Sequence, residues 1–149
     1  MTIAEMIVIA WCLGVTLADM RARRIPNLMS LGMCLIAIVC LLVTGHTLLN
    51  ASMHSALLAA AIALLLTLPA YAARLLGAGD VKLLLAIALV SGSDFTLFAF
   101  VIAAVLTVIA AAIYLSLTRL RTPPTTRTRW LPFGAALSVG LLLAMGVSR

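Results

Sequence analysis

The chain has 149 residues, of which 65% are hydrophobic and only 9% are charged. A soluble domain of this size carries about a quarter charged residues and about half apolar ones. The composition therefore excludes a soluble globular domain and indicates an integral membrane protein.

The apolar segments predict transmembrane helices rather than β-strands. Residues 57–68 are apolar at almost every position and rich in Ala and Leu, whereas the strands of a membrane barrel alternate in polarity over about ten residues. A spanning helix needs about 17 to 25 mostly apolar residues. About six such helices fill the chain, so we expect an all-α integral membrane protein whose residues 1–149 form a single membrane domain.

Polar interruptions divide the chain into six predicted spans. Residues 27–73 contain no formal charge over 47 positions, which is enough for two crossings. The polar stretch at 44–52 separates these two crossings, and the small polar cluster at 91–94 divides a second long apolar stretch. In chain order, the predicted spans cover residues 3–18, 28–43, 54–73, 80–90, 95–117 and 131–147.

The basic residues predict how the helices are oriented. Nine of the ten Lys and Arg residues lie in the loops after the first, third and fifth spans, if Lys82 at the start of the fourth span is counted with its loop. Short cytoplasmic loops are enriched in Lys and Arg. This pattern predicts that both termini lie outside a bacterial cytoplasmic (inner) membrane. It also explains the net charge of +6 by topology and contact with membrane lipid rather than by binding to nucleic acid.

The four carboxylates fall into two pairs under this topology. Glu5 and Asp94 lie near helix ends on the predicted outer side, whereas Asp19 and Asp80 lie at the cytoplasmic membrane edge. Ionisable groups at membrane depth are costly and are functional candidates by default. An alternative interpretation is that a nearby arginine balances Asp19 and Lys82 balances Asp80, so that both acids are ordinary loop charges.

The local sequence around each aspartate favours a functional site. Asp80 follows Gly77 and Gly79, which allow backbone geometry and close approach that a side chain would block. Asp19 stands at the end of the first predicted span, and Pro26 and Asn27 begin the second, where a proline suits the first helical turn. Each aspartate thus marks the cytoplasmic boundary of a different helix.

Three segments resemble the type IV prepilin peptidases, a family of membrane aspartic endopeptidases. Residues 19–27 (DMRARRIPN) look like the family's first catalytic aspartate with its downstream Ile-Pro-Asn, and residues 77–82 (GAGDVK) look like its Gly-x-Gly-Asp motif. Residues 132–134 (PFG) resemble a Pro-Phe-Gly that opens the last span of the family. The two aspartate motifs occur in order, on the same predicted side of the membrane.

The resemblance implies a function and a set of site residues. It implies that the chain removes the basic leader peptide from prepilin substrates, by hydrolysis between two carboxylates and without a metal or other cofactor. The chain has none of the paired Cys-x-x-Cys motifs of the larger, bifunctional members, so it is similar to the short, peptidase-only branch that serves Tad/Flp-type pili, and we expect no N-methyltransferase activity. The implied residues are Asp19 and Asp80 as catalytic groups, and Gly77, Gly79, Lys82, Pro26 and Asn27 as substrate-binding or site-shaping groups.

Two other functions remain open on the residues themselves. A small transporter or ion-conducting subunit could use Asp19 and Asp80 to relay ions, although it predicts carboxylates near mid-membrane and often an inverted repeat. A structural membrane subunit would use the two aspartates only as loop charges. Replacement of either aspartate by asparagine, followed by a cleavage assay, separates these possibilities.

Overall fold

The computed structural model describes residues 2–22, 26–74, 76–118 and 133–147, and these segments are all-helical. They form six helices and contain no β-strand, which confirms the predicted all-α fold. The helices are α1 (Ile3–Ala22), α2 (Asn27–Thr44), α3 (Met53–Ala72), α4 (Ala78–Ser91), α5 (Ser93–Thr118) and α6 (Phe133–Val147).

Several helices extend beyond the apolar runs that predicted them. The α1 helix continues to Ala22, so Asp19 lies within its last turns rather than after its end. The α4 helix begins at Ala78, which places Asp80 in its first turn. An apolar run marks the part of a helix that sits in hydrocarbon, whereas backbone hydrogen bonds continue into the polar flanks. Both aspartates are therefore held on helical backbone.

Within the described segments, four helices are long and apolar enough to cross a membrane: α1, α2, α3 and α5. The α4 and α6 helices have 14 and 15 described residues, or about 21 and 22 Å at 1.5 Å per residue, against a hydrocarbon core of about 30 Å. The structure thus confirms six helices in the described segments. That all six cross the membrane, and that both termini lie outside it, remain predictions. Six of the nine basic residues behind that orientation lie outside the described segments.

The short α4 helix lies at the centre of the bundle. It packs against α2, α3, α5 and α6, and nine of its fourteen residues are buried. A helix that is apolar on all sides is suited to such a position. The surrounding helices instead expose large apolar side chains, including Leu13, Leu35, Leu57 and Val105. These outward faces are suited to lipid, and α4 is enclosed by protein.

Small residues allow the helices to approach each other closely. Ala56, Ala59 and Ala63 are fully or almost fully buried on α3, which packs mainly against α4. On α6, a Cβ atom at Gly140 would lie 2.5 Å from the carbonyl oxygen of Ala99 on α5. Packing through small residues is typical of helices in membranes, where lipid supplies no hydrophobic force between them.

Tertiary contacts define two ends of the bundle. At one end, which we call the far end, the loop 45–52 and the start of α3 meet the end of α4 and the start of α5. Leu49 N in the loop donates to Val90 O at 3.2 Å, and Ser93 N donates to Ser55 Oγ on α3 at 3.0 Å. The other end carries Asp19 and Asp80 and is called the aspartate end below. Both sequence motifs therefore lie at one end of the same bundle.

Candidate active site

Asp19 is held by the beginning of α6. Its side chain is 3% exposed, and its Oδ2 atom accepts a hydrogen bond from Ala135 N at 2.8 Å. Ala135 is the third residue of α6, where backbone N–H groups have no partner within the helix. A hydrogen bond from a backbone N–H to a carboxylate is charge-assisted and short. The start of α6 thus fixes one oxygen of Asp19.

Asp80 is held by the turn that begins its own helix. It is 2% exposed, and its Oδ2 atom accepts a hydrogen bond from Gly77 N at 3.3 Å. Gly77 is the N-cap of α4 and Asp80 is the third helical residue. A carboxylate at this position commonly reaches back to the N-cap backbone. The first turn of α4 therefore orients Asp80 locally.

The two glycines of this turn do not need glycine's conformational freedom. Gly77 has φ −92° and ψ 157°, an extended conformation that any residue can adopt, and Gly79 lies inside the helix. The sequence-based argument from backbone geometry therefore does not apply to them. Their lack of side chains remains relevant, because Gly77 and Gly79 are both partly exposed beside the buried Asp80.

A polar contact joins the two motif segments. Lys82 Nζ donates to Asn27 Oδ1 at 3.1 Å. Asn27 is the first residue of α2 and follows Pro26, the N-cap of that helix. The structure thus pairs the Asn27 side chain with a residue 55 positions further along the chain. The contact fastens the start of α2 to the start of α4.

Contacts between helices gather these residues at one end. The α1 helix packs against α6, α6 against α4, and α4 against α2. The α1 and α2 helices also meet where Trp11 Nε1 donates to Met29 O at 3.0 Å. Asp19, Asp80, Asn27 and Lys82 consequently lie at the same end of the bundle, which their positions in the sequence could not show.

The remaining acids have different surroundings. Asp94 is exposed at the start of α5, where its Oδ1 atom accepts a hydrogen bond from Ser93 Oγ at 3.2 Å. Glu5 is only partly buried at the start of α1 and accepts from Thr2 N at 3.2 Å. Burial therefore separates Asp19 and Asp80 from the other two acids.

Sequence reasoning missed one group of the site, the backbone N–H of Ala135. A backbone donor leaves no mark in the residue type, and 116 positions separate it from Asp19. The only pointer was the resemblance of residues 132–134 to a motif that opens the last span. Residue 132 lies outside the described segments, whereas Phe133 and Gly134 begin α6.

Comparison with protein families identifies the chain. The model of the type IV leader peptidase family matches residues 6–112, more than two thirds of the length. The chain belongs to the type IV leader peptidase family. The match contains both aspartate motifs and the helices α2, α3 and α4, and it ends before α6. Comparisons with curated proteins and with solved structures found no significant match.

Membership of a leader peptidase family gives the buried aspartates a chemical context. Among the described residues, His, Cys, Asp and Glu side chains form no group of three that could hold a metal ion. Two carboxylates can hydrolyse a peptide bond when one accepts a proton from water and the other donates one to the carbonyl oxygen. Asp19 and Asp80 are the two buried acids among the described residues.

Proposed function

We propose that the chain is a membrane-embedded aspartic endopeptidase that uses Asp19 and Asp80 to remove the basic leader from prepilin-like substrates. The observation that carries this proposal is the burial of both aspartates at one end of the bundle, within the segment that matches the family. The cleavage takes place at the cytoplasmic face of a bacterial inner membrane. It serves the assembly of a type IV (Tad/Flp) pilus or a related secretion system.

The proposed reaction needs one ionised and one protonated carboxyl group. The ionised group takes a proton from water as the water oxygen attacks the scissile carbonyl carbon, and the protonated group gives its proton to the carbonyl oxygen. The tetrahedral intermediate then collapses: the carboxyl group that took the proton from water gives it to the peptide nitrogen, the C–N bond breaks, and the other carboxylate takes a proton back from a hydroxyl of the intermediate. The products are the leader with a new carboxyl end and the mature chain with a new amine. The two acids act as a unit, so their titration belongs to the pair.

The other residues of the site shape and brace it in this proposal. Gly77 and Gly79 leave backbone open for an extended peptide to lie beside Asp80. Lys82 and Asn27 hold the starts of α4 and α2 together through their hydrogen bond, and Pro26 sets where α2 begins. These five residues position the substrate and the helices, whereas the two aspartates carry the chemistry.

The substrate follows from where the site lies in the proposed topology. A site at the cytoplasmic membrane edge meets a protein with a basic leader in the cytoplasm and an apolar helix in the bilayer. Prepilins have this layout. The family resemblance adds that the cut follows a small residue, usually glycine, at the end of the leader.

Cleavage by purified variants tests the proposal. Protein in detergent is incubated with a Tad-type prepilin, and the products are identified by mass spectrometry. We expect Asp19→Asn and Asp80→Asn each to lose about 10²- to 10⁴-fold in rate, the range for removal of an acid–base group. Asp94→Asn is the matched control, because that carboxylate is exposed at the far end, and it should cleave at the wild-type rate.

Two results would contradict the proposal. Wild-type cleavage by either the Asp19 or the Asp80 variant would show that the two acids are not the catalytic pair. Absence of cleavage by the wild type, together with an ion flux in proteoliposomes that depends on both aspartates, would favour the ion-conducting alternative.

A further inference from the structure

Ser138 of α6 is a buried hydroxyl group without a hydrogen-bond partner. Its residue is fully buried, and its Oγ atom bonds to none of the described residues. Hydroxyl groups elsewhere on the helices donate to the carbonyl oxygen four residues earlier. Examples are Thr16 to Cys12, Thr67 to Ala63, Ser91 to Ile87, Thr96 to Gly92 and Thr107 to Ala103, at 2.6 to 2.8 Å. The Ser138 hydroxyl does not make this hydrogen bond within its own helix.

The position of Ser138 on α6 shows which helices it faces. Gly140 marks the side of α6 that contacts α5, through the backbone of Ala99. Successive residues of a helix are about 100° apart, so Ser138 points about 160° away from Gly140. Among the described helices, α6 also packs against α1 and α4. Ser138 is fully buried and therefore faces these two helices, which carry Asp19 and Asp80.

The directions of the side chains bring Ser138 and Asp19 toward each other. Ser138 follows Ala135 by three residues, about 4.5 Å further along α6 and on a neighbouring face. Side chains lean toward the N-terminus of their own helix. Because the end of α1 meets the start of α6, Asp19 leans into the bundle and Ser138 leans toward the aspartate end. The Ser138 hydroxyl and the Asp19 carboxylate therefore point toward each other near the aspartate end of the bundle.

We propose that Ser138 is a positioning residue for Asp19, to which its hydroxyl donates a hydrogen bond through one ordered water molecule. Buried polar groups are rarely left unsatisfied, and ordered water commonly completes their bonding. Asp19 is then held at two points of α6, by the N–H of Ala135 and by the hydroxyl of Ser138. An effect of Ser138 on the cleavage rate rests on the proposed peptidase function. The contact between Ser138 and Asp19 does not depend on that function.

A double-mutant cycle in thermal unfolding tests the contact without any need for activity. The variants are Ser138→Ala, Asp19→Ala and their combination. Ser91→Ala is the matched control, since Ser91 is also buried but its hydroxyl bonds to Ile87 O and to the Thr96 hydroxyl at the far end. We expect Ser138→Ala to lower the unfolding midpoint of the wild type and to leave that of Asp19→Ala unchanged. Ser91→Ala should shift both midpoints equally, because distant sites are additive.

An additive cycle between Ser138 and Asp19 would overturn the proposal. So would a higher midpoint for Ser138→Ala, because removal of an isolated buried hydroxyl relieves a desolvation cost. If Asp19→Ala does not fold, a crystal structure that resolves ordered water decides the question. It should show one water between the Ser138 hydroxyl and the Asp19 carboxylate, and a direct bond from Ser138 Oγ to the carbonyl of Gly134 would contradict it.

Cleavage kinetics test the catalytic consequence. Ser138→Ala should lower kcat about tenfold with KM unchanged, the loss expected for one hydrogen bond to a carboxylate. Ser138→Cys fills a similar volume with a weak donor, so it should not restore the rate. A wild-type kcat for Ser138→Ala, or full recovery with cysteine, would show that Ser138 acts only through packing. If the wild-type protein cleaves no prepilin, the proposed function fails, and the double-mutant cycle in thermal unfolding alone decides whether Ser138 contacts Asp19.

Discussion

Replacement of Gly140 tests how closely α6 packs against α5. A Cβ atom added there would lie 2.5 Å from the carbonyl oxygen of Ala99 and 3.0 Å from its Cα atom. Both atoms belong to the backbone of α5, so no side-chain rotation can make room. Gly140→Ala therefore forces α5 and α6 apart.

The size of the effect follows from these distances. An ordinary contact begins at about 3.4 Å, so the two backbones must separate by about 0.9 Å along this line. Overpacking of this kind costs about 1–3 kcal/mol, and alanine in place of a helical glycine returns about 0.5–1 kcal/mol. The difference is about 0–2.5 kcal/mol. Because the clashing atoms are all backbone, we expect the upper part of this range, a net loss of about 1–2.5 kcal/mol in the free energy of unfolding. Because α6 also carries the N–H that binds Asp19, the cleavage rate should fall too.

Unfolding in detergent, followed by tryptophan fluorescence, measures this loss. Gly146→Ala is the matched control, since it lies on the same helix and its added Cβ would meet no atom within 4 Å. The control should be as stable as the wild type or slightly more stable, and fully active. Equal stability of the Gly140 and Gly146 variants would refute the close approach of α5 and α6.

Two further predictions concern other contacts. Asn27→Ala and Lys82→Met should each lower kcat/KM by about fivefold, because either removes the same hydrogen bond; the double variant should be no worse than the singles, and multiplied losses would contradict this pairing. Gly45→Ala should lower the free energy of unfolding by about 1 kcal/mol, since Gly45 ends α2 at φ +74°. Gly32→Ala, inside the same helix with open space around its Cβ, should not be destabilising, and equal effects of the two glycine variants would refute the role of the left-handed cap.

The helices could be predicted from the sequence because a lipid-exposed backbone must satisfy its own hydrogen bonds, so each long apolar run becomes a helix. The position of α4 at the centre of the bundle could not be predicted from the sequence. Lipid and protein interior are both apolar, so an apolar run such as residues 83–90 does not show whether its helix contacts lipid or other helices. Only the structure shows that this run is enclosed by four other helices.

The candidate site divides in a similar way. Asp19 and Asp80 could be singled out because acids are so scarce in this chain. The partners of Asp19 and Asn27 could not be predicted, because Ala135 acts through its backbone and Lys82 is 55 positions from Asn27. Long-range contacts of this kind depend on how the helices pack, for which the residue pattern carries no direct signal.

The central claim is that Asp19 and Asp80 hydrolyse the peptide as one unit. The most direct test is the cleavage rate of Asp19→Asn, Asp80→Asn and the double variant on one prepilin substrate. Each single variant should lose about 10²- to 10⁴-fold, and the double variant should be no slower than the slower single, because groups that act together are not additive. A wild-type rate in either single variant, or losses that multiply in the double, would contradict the claim.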